Sequence, residues 1–341
     1  MSATEVPVAP AAAGTRAAPT PLRRVLALQK RYPILQLVAL IAVFIYGSST
    51  LDGLASASSI RSILVLASLA GLASCGQTLL ILMGGFDMSV SGFIVAGAIV
   101  VTTLTAKYNV PFGVGLIAAV LLAGLLGGAA GQICHRYKIQ PLIVTLAIGS
   151  IATGAVQVQT GGELAGSAPE WLSHLASPAS KTFGIAVPPL VAIWIAVGLV
   201  FALFLNRTVA GRRLMATGAN QRAADLALVQ TRRVWTYAFA FSAIASVFVG
   251  VLLAGFAGSV DATLGSPYLF QSVAAVVVGG TVFGGPGDYT RTIIGALFLS
   301  VLTTVLIGHG ADAADQQILY GVIVLAAVTV YGRDRRVQDR I

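Results

Sequence analysis

Ten apolar stretches recur along the chain, at about 33–51, 60–82, 90–106, 111–134, 141–156, 188–206, 234–255, 271–284, 291–308 and 316–331, with polar connections between them. Several reach the roughly 20 residues that carry a helix across a bilayer. They show neither the alternation of a half-buried strand nor the polar face of a soluble amphipathic helix. Each therefore predicts a helix in apolar surroundings. The expected fold class is all-α, a polytopic membrane helix bundle of about ten transmembrane helices filling 33–332. The first run is too long for the apolar part of a signal peptide and no small-residue cleavage site follows it, so it reads as an uncleaved first helix. Glycines crowd the runs, as at Gly124, Gly127, Gly128 and Gly131. Small residues suit close helix contact where lipid offers no hydrophobic drive.

Composition turns this pattern into an exclusion. Of 341 residues, 57% are hydrophobic and 10% charged, whereas a soluble domain carries about 25% charged residues. One soluble core cannot bury that excess, so the remainder faces lipid. The net charge of +9 reads as topology rather than nucleic-acid binding, because cytoplasmic connections retain Lys and Arg. With both termini cytoplasmic, all but Arg61, Lys107 and Lys181 of the 21 basic residues fall inside. They sit in the tail 1–32, after the fourth run, in the loop 207–233, at Arg291 and in the short tail 333–341. The start, rich in Ala, Pro and Thr, predicts a disordered basic tail. Enzyme chemistry finds little support. Cys75 and Cys134 are isolated in apolar runs, His135, His174 and His309 stand alone, and no P-loop, nucleophile elbow or HExxH occurs. No metal site or cofactor is expected in this chain.

An ionisable residue inside a membrane is costly and by default a functional candidate. Asp87 lies in MGGFDMSVSG, where an apolar helix reaches Gly84 and Gly85 and another begins. Asp87 or Ser89 can cap the second helix, and irregular backbone there can also line a water-filled pathway. A second punctuated segment, VVVGGTVFGGPGDYTRTIIG, holds Gly279, Gly280, Gly284, Gly285, Gly287 and Asp288 before another apolar run. Paired interruptions of this kind point to a translocation pathway between repeats. Gln77 either faces that pathway or bridges two helices. In the loop 207–233, Ala219 to Val229 predicts a short helix capped by Asn220, either a docking surface for a partner or an interfacial helix held to membrane lipid by its arginines. The outer segment 157–187 predicts a short amphipathic piece.

Three stretches together resemble the ribose-type sugar permeases of bacterial ABC importers, a family related to branched-chain amino acid and nucleoside permeases. They are Gln77 through Gly92, Gly211 through Val229 and Ala275 through Ala296, in a likeness running from about residue 35 to 335. It implies a permease subunit in the bacterial cytoplasmic membrane, working as a homodimer. ATP-binding subunits that carry ATP-Mg drive it, and an extracytoplasmic solute-binding protein delivers a sugar or polyol. It implies a coupling helix seated on the ATPase through Gly211, Arg212, Gly218, Asn220, Ala223, Ala224, Asp225 and Leu226. The translocation pathway is expected around Gln77, Gly84, Gly85, Asp87, Ser89, Gly279, Gly280, Gly284, Gly285 and Asp288. The sequence departs from the family pattern at three glycine positions. They hold Ser91, Leu228 and Arg291, which puts the turn after the coupling helix in question and adds a charge beside Asp288. Import of amino acids or nucleosides, or an ion-coupled carrier using Asp87, are the competing readings.

Overall fold

A computed structural model describes residues 33–161 and 166–338; the expected tail 1–32, residues 162–165 and the last three residues of the expected tail 333–341 lie outside the described residues. Among the described residues there are thirteen α-helices and no sheet. They are α1 (Ile34–Thr50), α2 (Ala57–Leu82), α3 (Val90–Ile99, extended by a π-helical turn Val100–Leu104), α4 (Phe112–Tyr137), α5 (Pro141–Thr160), α6 (Glu170–Ala176) and α7 (Pro189–Arg207). There follow α8 (Val209–Ala219), α9 (Gln221–Leu226), α10 (Thr231–Ala257), α11 (Ser266–Val278), α12 (Tyr289–Gly308) and α13 (Ala313–Gln338). Six of these, α2, α4, α5, α7, α10 and α12, have the length and hydropathy to cross a membrane. Ile34–Thr50, Val90–Leu104, Ser266–Val278 and Ala313–Ala326 are shorter apolar helices.

The run expected at 271–284 is displaced. Its helix starts earlier, at Ser266, with Pro267 in the first turn, and stops at Val278 because two glycines follow. Pro tolerates a helix start because its missing N–H is unneeded there. The last helix continues through Gln338, into the stretch expected as a short tail. In the connection 157–187, the short piece is α6, whose Leu172 and Ala176 are buried; Gly255 near the end of α10 leaves room for Leu172.

Helix α2 is the axis of the bundle. Every residue from Ala67 to Leu82 is buried, enclosed by α7, α10, α11 and α12. Its polar side chains are satisfied at close range: Ser74 donates to Ala70 O at 2.6 Å and Thr78 to Ser74 O at 2.8 Å. Gly71 admits the Trp194 ring of α7. Trp194 Nε1 donates to the Tyr289 hydroxyl at 3.1 Å, and that hydroxyl donates to Gly71 O at 2.7 Å. Three helices are thereby pinned around one glycine. A bond of this sort contributes only about 0.6 kcal/mol in a membrane, so backbone proximity carries most of the packing. Gly97 of α3 and Gly250 of α10 show it: a Cβ on either would overlap a backbone carbonyl of the facing helix. The outer faces of α4 and α7 expose Leu121, Leu125, Leu199 and Leu203, as lipid contact requires.

Candidate translocation and coupling site

The two glycine-broken segments end their helices in the same way. At the end of α2, Gly84 has φ 81°, Gly84 N donates to Ile81 O at 2.9 Å and Gly85 N to Leu80 O at 2.8 Å. At the end of α11, Gly280 has φ 92°, Gly280 N donates to Val277 O at 2.9 Å and Thr281 N to Val276 O at 3.2 Å. Both are Schellman caps, whose left-handed residue favours glycine. Both then lead to an aspartate just ahead of the next helix; Asp288 is the side-chain cap of α12, whereas α3 starts after Ser89 with no side-chain cap, so the cap expected from Asp87 or Ser89 is not formed. Asp87 Oδ1 accepts Ser89 N at 2.8 Å and the Ser89 hydroxyl; Asp288 Oδ1 accepts Arg291 N at 2.9 Å and the Thr290 hydroxyl. The tertiary fold brings these loops into contact. Gly284 N donates to Ile81 O at 2.8 Å, and the Phe86 and Phe283 rings lie 4.4 Å apart. Gly279 rests against the Arg291 carbonyl and Gly285 packs on Val282.

Gln77 is fully buried and bridges rather than faces a cavity. Its Nε2 donates to Asp87 O at 2.5 Å while its Oε1 accepts Asp87 N at 3.2 Å. Asp87 is itself buried, and its second carboxylate oxygen has no hydrogen bond among the described residues. The polar space lies alongside. A groove of about 320 Å³ is lined by Met88 and Ser91 at the start of α3, by Ser150, Thr153 and Gln157 of α5, and by Leu269 of α11. Ser150, Thr153 and Gln157 recur at i, i+3 and i+7, hence on one helical face. Ser150 and Thr153 were readable in the run 141–156, with Gln157 one residue past its end, but hydroxyls in an apolar helix also bond their own backbone and carry no site signal alone. Gly265, ahead of α11, leaves room for the Ser91 carbonyl at this groove's edge.

The loop 207–233 holds the short helix expected within 219–229, which is α9 with Asn220 as its cap, and a further helix, α8, ahead of it. Thr208 caps α8 through Gly211 N at 3.0 Å, and Asn220 Oδ1 caps α9 through Ala223 N at 3.0 Å. Gly211 packs on the backbone of Phe204 and Leu205. A Cβ on Gly218 would overlap the Leu82 carbonyl, so α8 presses on α2 where the Asp87 loop begins. Ala224 faces inward, at 4% exposed, whereas Arg212, Ala223, Asp225 and Leu226 are exposed. Asp225 accepts the Thr231 hydroxyl at 2.6 Å, and Thr231 also pairs with His135 Nε2 at 2.9 Å. This chain ties α9 to the end of α4 and the start of α10.

Comparison with known proteins identifies what such a bundle belongs to. Residues 59–328 match the family model described as the branched-chain amino acid transport system, permease component. The chain belongs to that permease family. It is 31% identical to the ribose import permease protein RbsC of Haemophilus influenzae over 80% of this chain and 84% of the relative. It is 29% identical to the fructose import permease protein FrcC of Rhizobium meliloti, over 81% and 78%. The L-arabinose transport system permease protein AraH of Escherichia coli is 29% identical over 76% and 78%. No solved structure matches the chain. The protein is thus a multi-pass membrane permease, a transport subunit rather than an enzyme.

Two departures from the family pattern have local answers in this permease. Leu228 keeps the turn that glycine would make: it has φ 61°, Leu228 N donates to Asp225 O and Val229 N to Ala224 O, both at 3.0 Å. That is the Schellman pattern again, with a leucine in the left-handed residue at a cost of about 1–2 kcal/mol. Its side chain is 89% exposed, so little packing compensates. Leu228→Gly is therefore expected to stabilise the permease by about 1 kcal/mol after allowing for glycine's greater unfolded-state freedom. A thermal midpoint unchanged or lower than that of the parent would refute this. At Arg291 the backbone N–H completes the Asp288 cap, so the charged residue leaves the helix start intact.

Proposed function

We propose that the permease forms the membrane pathway of a bacterial ABC importer for a sugar or polyol. The relatives named above import ribose, fructose or arabinose, which favours a sugar over the amino acids of the family description. In this reading all ten apolar helices cross the membrane within a domain at 33–332, and both termini are cytoplasmic, on the side rich in Lys and Arg. Two copies associate, ATP-binding subunits holding ATP-Mg dock beneath, and a solute-binding protein delivers the solute outside. The observation that carries the reading is the seat of α8 on α2. Force entering at 207–233 passes through Gly218 to Leu82 and so to the joined loops at Gly84 and Gly284.

The solute path in this proposal runs along the groove of Ser91, Ser150, Thr153 and Gln157, with the loops around Asp87 and Asp288 setting its shape. Ser150 and Gln157 are exposed on a mostly apolar helix. Exposed polar side chains at membrane depth belong against protein or water, which supports a second copy facing this groove. An ion-coupled carrier would need Asp87 open to water, yet the residue is 1% exposed and its Oδ1 is held by Ser89.

A panel of pentoses, hexoses and polyols, tested for binding to the cognate solute-binding protein and for uptake by cells, checks the solute class. Thr153→Trp is expected to lower that uptake at least about tenfold, a loss of some 1.4 kcal/mol, with normal amounts of permease in the membrane. Uptake equal to the parent's would remove the groove from the path.

A further inference from the structure

A second cavity, of about 710 Å³, opens between α7, α8 and α10 and shares no lining residue with the groove of α3 and α5. Phe201 and Phe204 of α7, Tyr237 and Phe241 of α10 and Leu79 of α2 line it. Such a surface suits hydrocarbon. At the end closed by α8, two cations join the lining: Arg213 of α8 and Arg233 of α10. Both residues are exposed, and neither guanidinium has an ion pair or side-chain hydrogen bond among the described residues. An apolar cavity whose lining includes two guanidinium groups matches an amphiphile with an anionic head.

We infer that this cavity is a binding site for an anionic phospholipid, with an acyl chain among the aromatic walls and the phosphate between Arg213 and Arg233. Arginine forks match phosphate oxygens in pairs, and basic pockets between membrane helices on the cytoplasmic side hold anionic headgroups. The loop 207–233, from which both arginines come, is on the side the positive charge assigns to the cytoplasm. Other occupants fit the charge less well. The chain's own start, residues 1–32, carries Arg16, Arg23, Arg24, Lys30 and Arg31 against one acid, Glu5, so it would meet repulsion. A second copy docked here by symmetry would bring the same two cations.

The full chain, reconstituted in bilayer discs of mixed phosphatidylglycerol and phosphatidylcholine and released for native mass spectrometry, tests the assignment. The parent is expected to retain phosphatidylglycerol over phosphatidylcholine by roughly tenfold or more, as two cations near a headgroup imply. R213Q/R233Q should abolish that preference. The control R136Q/K138Q loses the same charge from the exposed end of α4, outside the cavity, and should keep it. Retention unchanged in R213Q/R233Q, or lost equally in the control, overturns the proposal. So does displacement by excess inorganic phosphate, which would mean an anion site without an acyl chain. The readout is lipid retention, so transport of a different solute leaves it untouched.

Discussion

Leu226→Asp is expected to reduce solute uptake to background while the permease stays folded and membrane-inserted. Leu226 is 86% exposed at the end of α9, a short polar element between two membrane helices. No packing in this chain explains a large apolar side chain there, and burial against an ATP-binding subunit would. Truncating a central interface anchor costs about 2 kcal/mol, or roughly 30-fold in affinity, and a carboxylate adds desolvation to the loss. Neighbouring Ala224 gives the contrast. It is 4% exposed, so Ala224→Arg forces a long cation into packed space and damages α9 itself. The two variants separate docking from folding: Leu226→Asp should keep the parent's thermal midpoint and lose co-purifying ATPase, Ala224→Arg should lose both. Normal uptake in Leu226→Asp would show that α9 is not where the partner sits.

The second large effect is predicted at Gln77. Its amide meets both the N–H and the C=O of Asp87 inside the protein, in a loop whose backbone has left the helical ladder. Gln77→Leu keeps the volume approximately and orphans two buried polar groups. Each unsatisfied group costs about 1–3 kcal/mol, so a loss of about 2–6 kcal/mol follows for the two, against a total stability of order 5–15 kcal/mol. Thermal unfolding in detergent should show a large fall in midpoint, with uptake falling alongside because the Asp87 loop loses its anchor. An unchanged midpoint would mean that water replaces the amide and that the clasp is not structural.

Much of this permease was legible in its residue order. Hydropathy is a local property, so the helical runs and their approximate bounds follow from it. Glycine at a left-handed cap is also a local demand, which is why Gly84 and Gly280 marked both helix ends. Asp288 announced its cap for the same reason: a short acceptor three residues ahead of Arg291 reaches a free amide without help from elsewhere, whereas the Asp87 carboxylate turns onto Ser89 without capping α3. Where the reading went astray, long-range contact had taken over. The run at 271–284 moved to Ser266–Val278, and a helix not read in the sequence, α8, precedes the Asn220-capped loop helix and sets Gly218 against Leu82.

Partnership was decided only by the tertiary structure. A membrane helix is apolar toward protein and toward lipid alike, so hydropathy does not say which face packs. The contact of Gly284 with Ile81, the turning of Gln77 onto the Asp87 backbone, and the inward Ala224 beside outward Leu226 all depend on residues distant in the chain. The groove along Ser150, Thr153 and Gln157 depends on them too: its polar stripe was present in the sequence, but only the packing of α5 against α3 and the start of α11 makes it a lining.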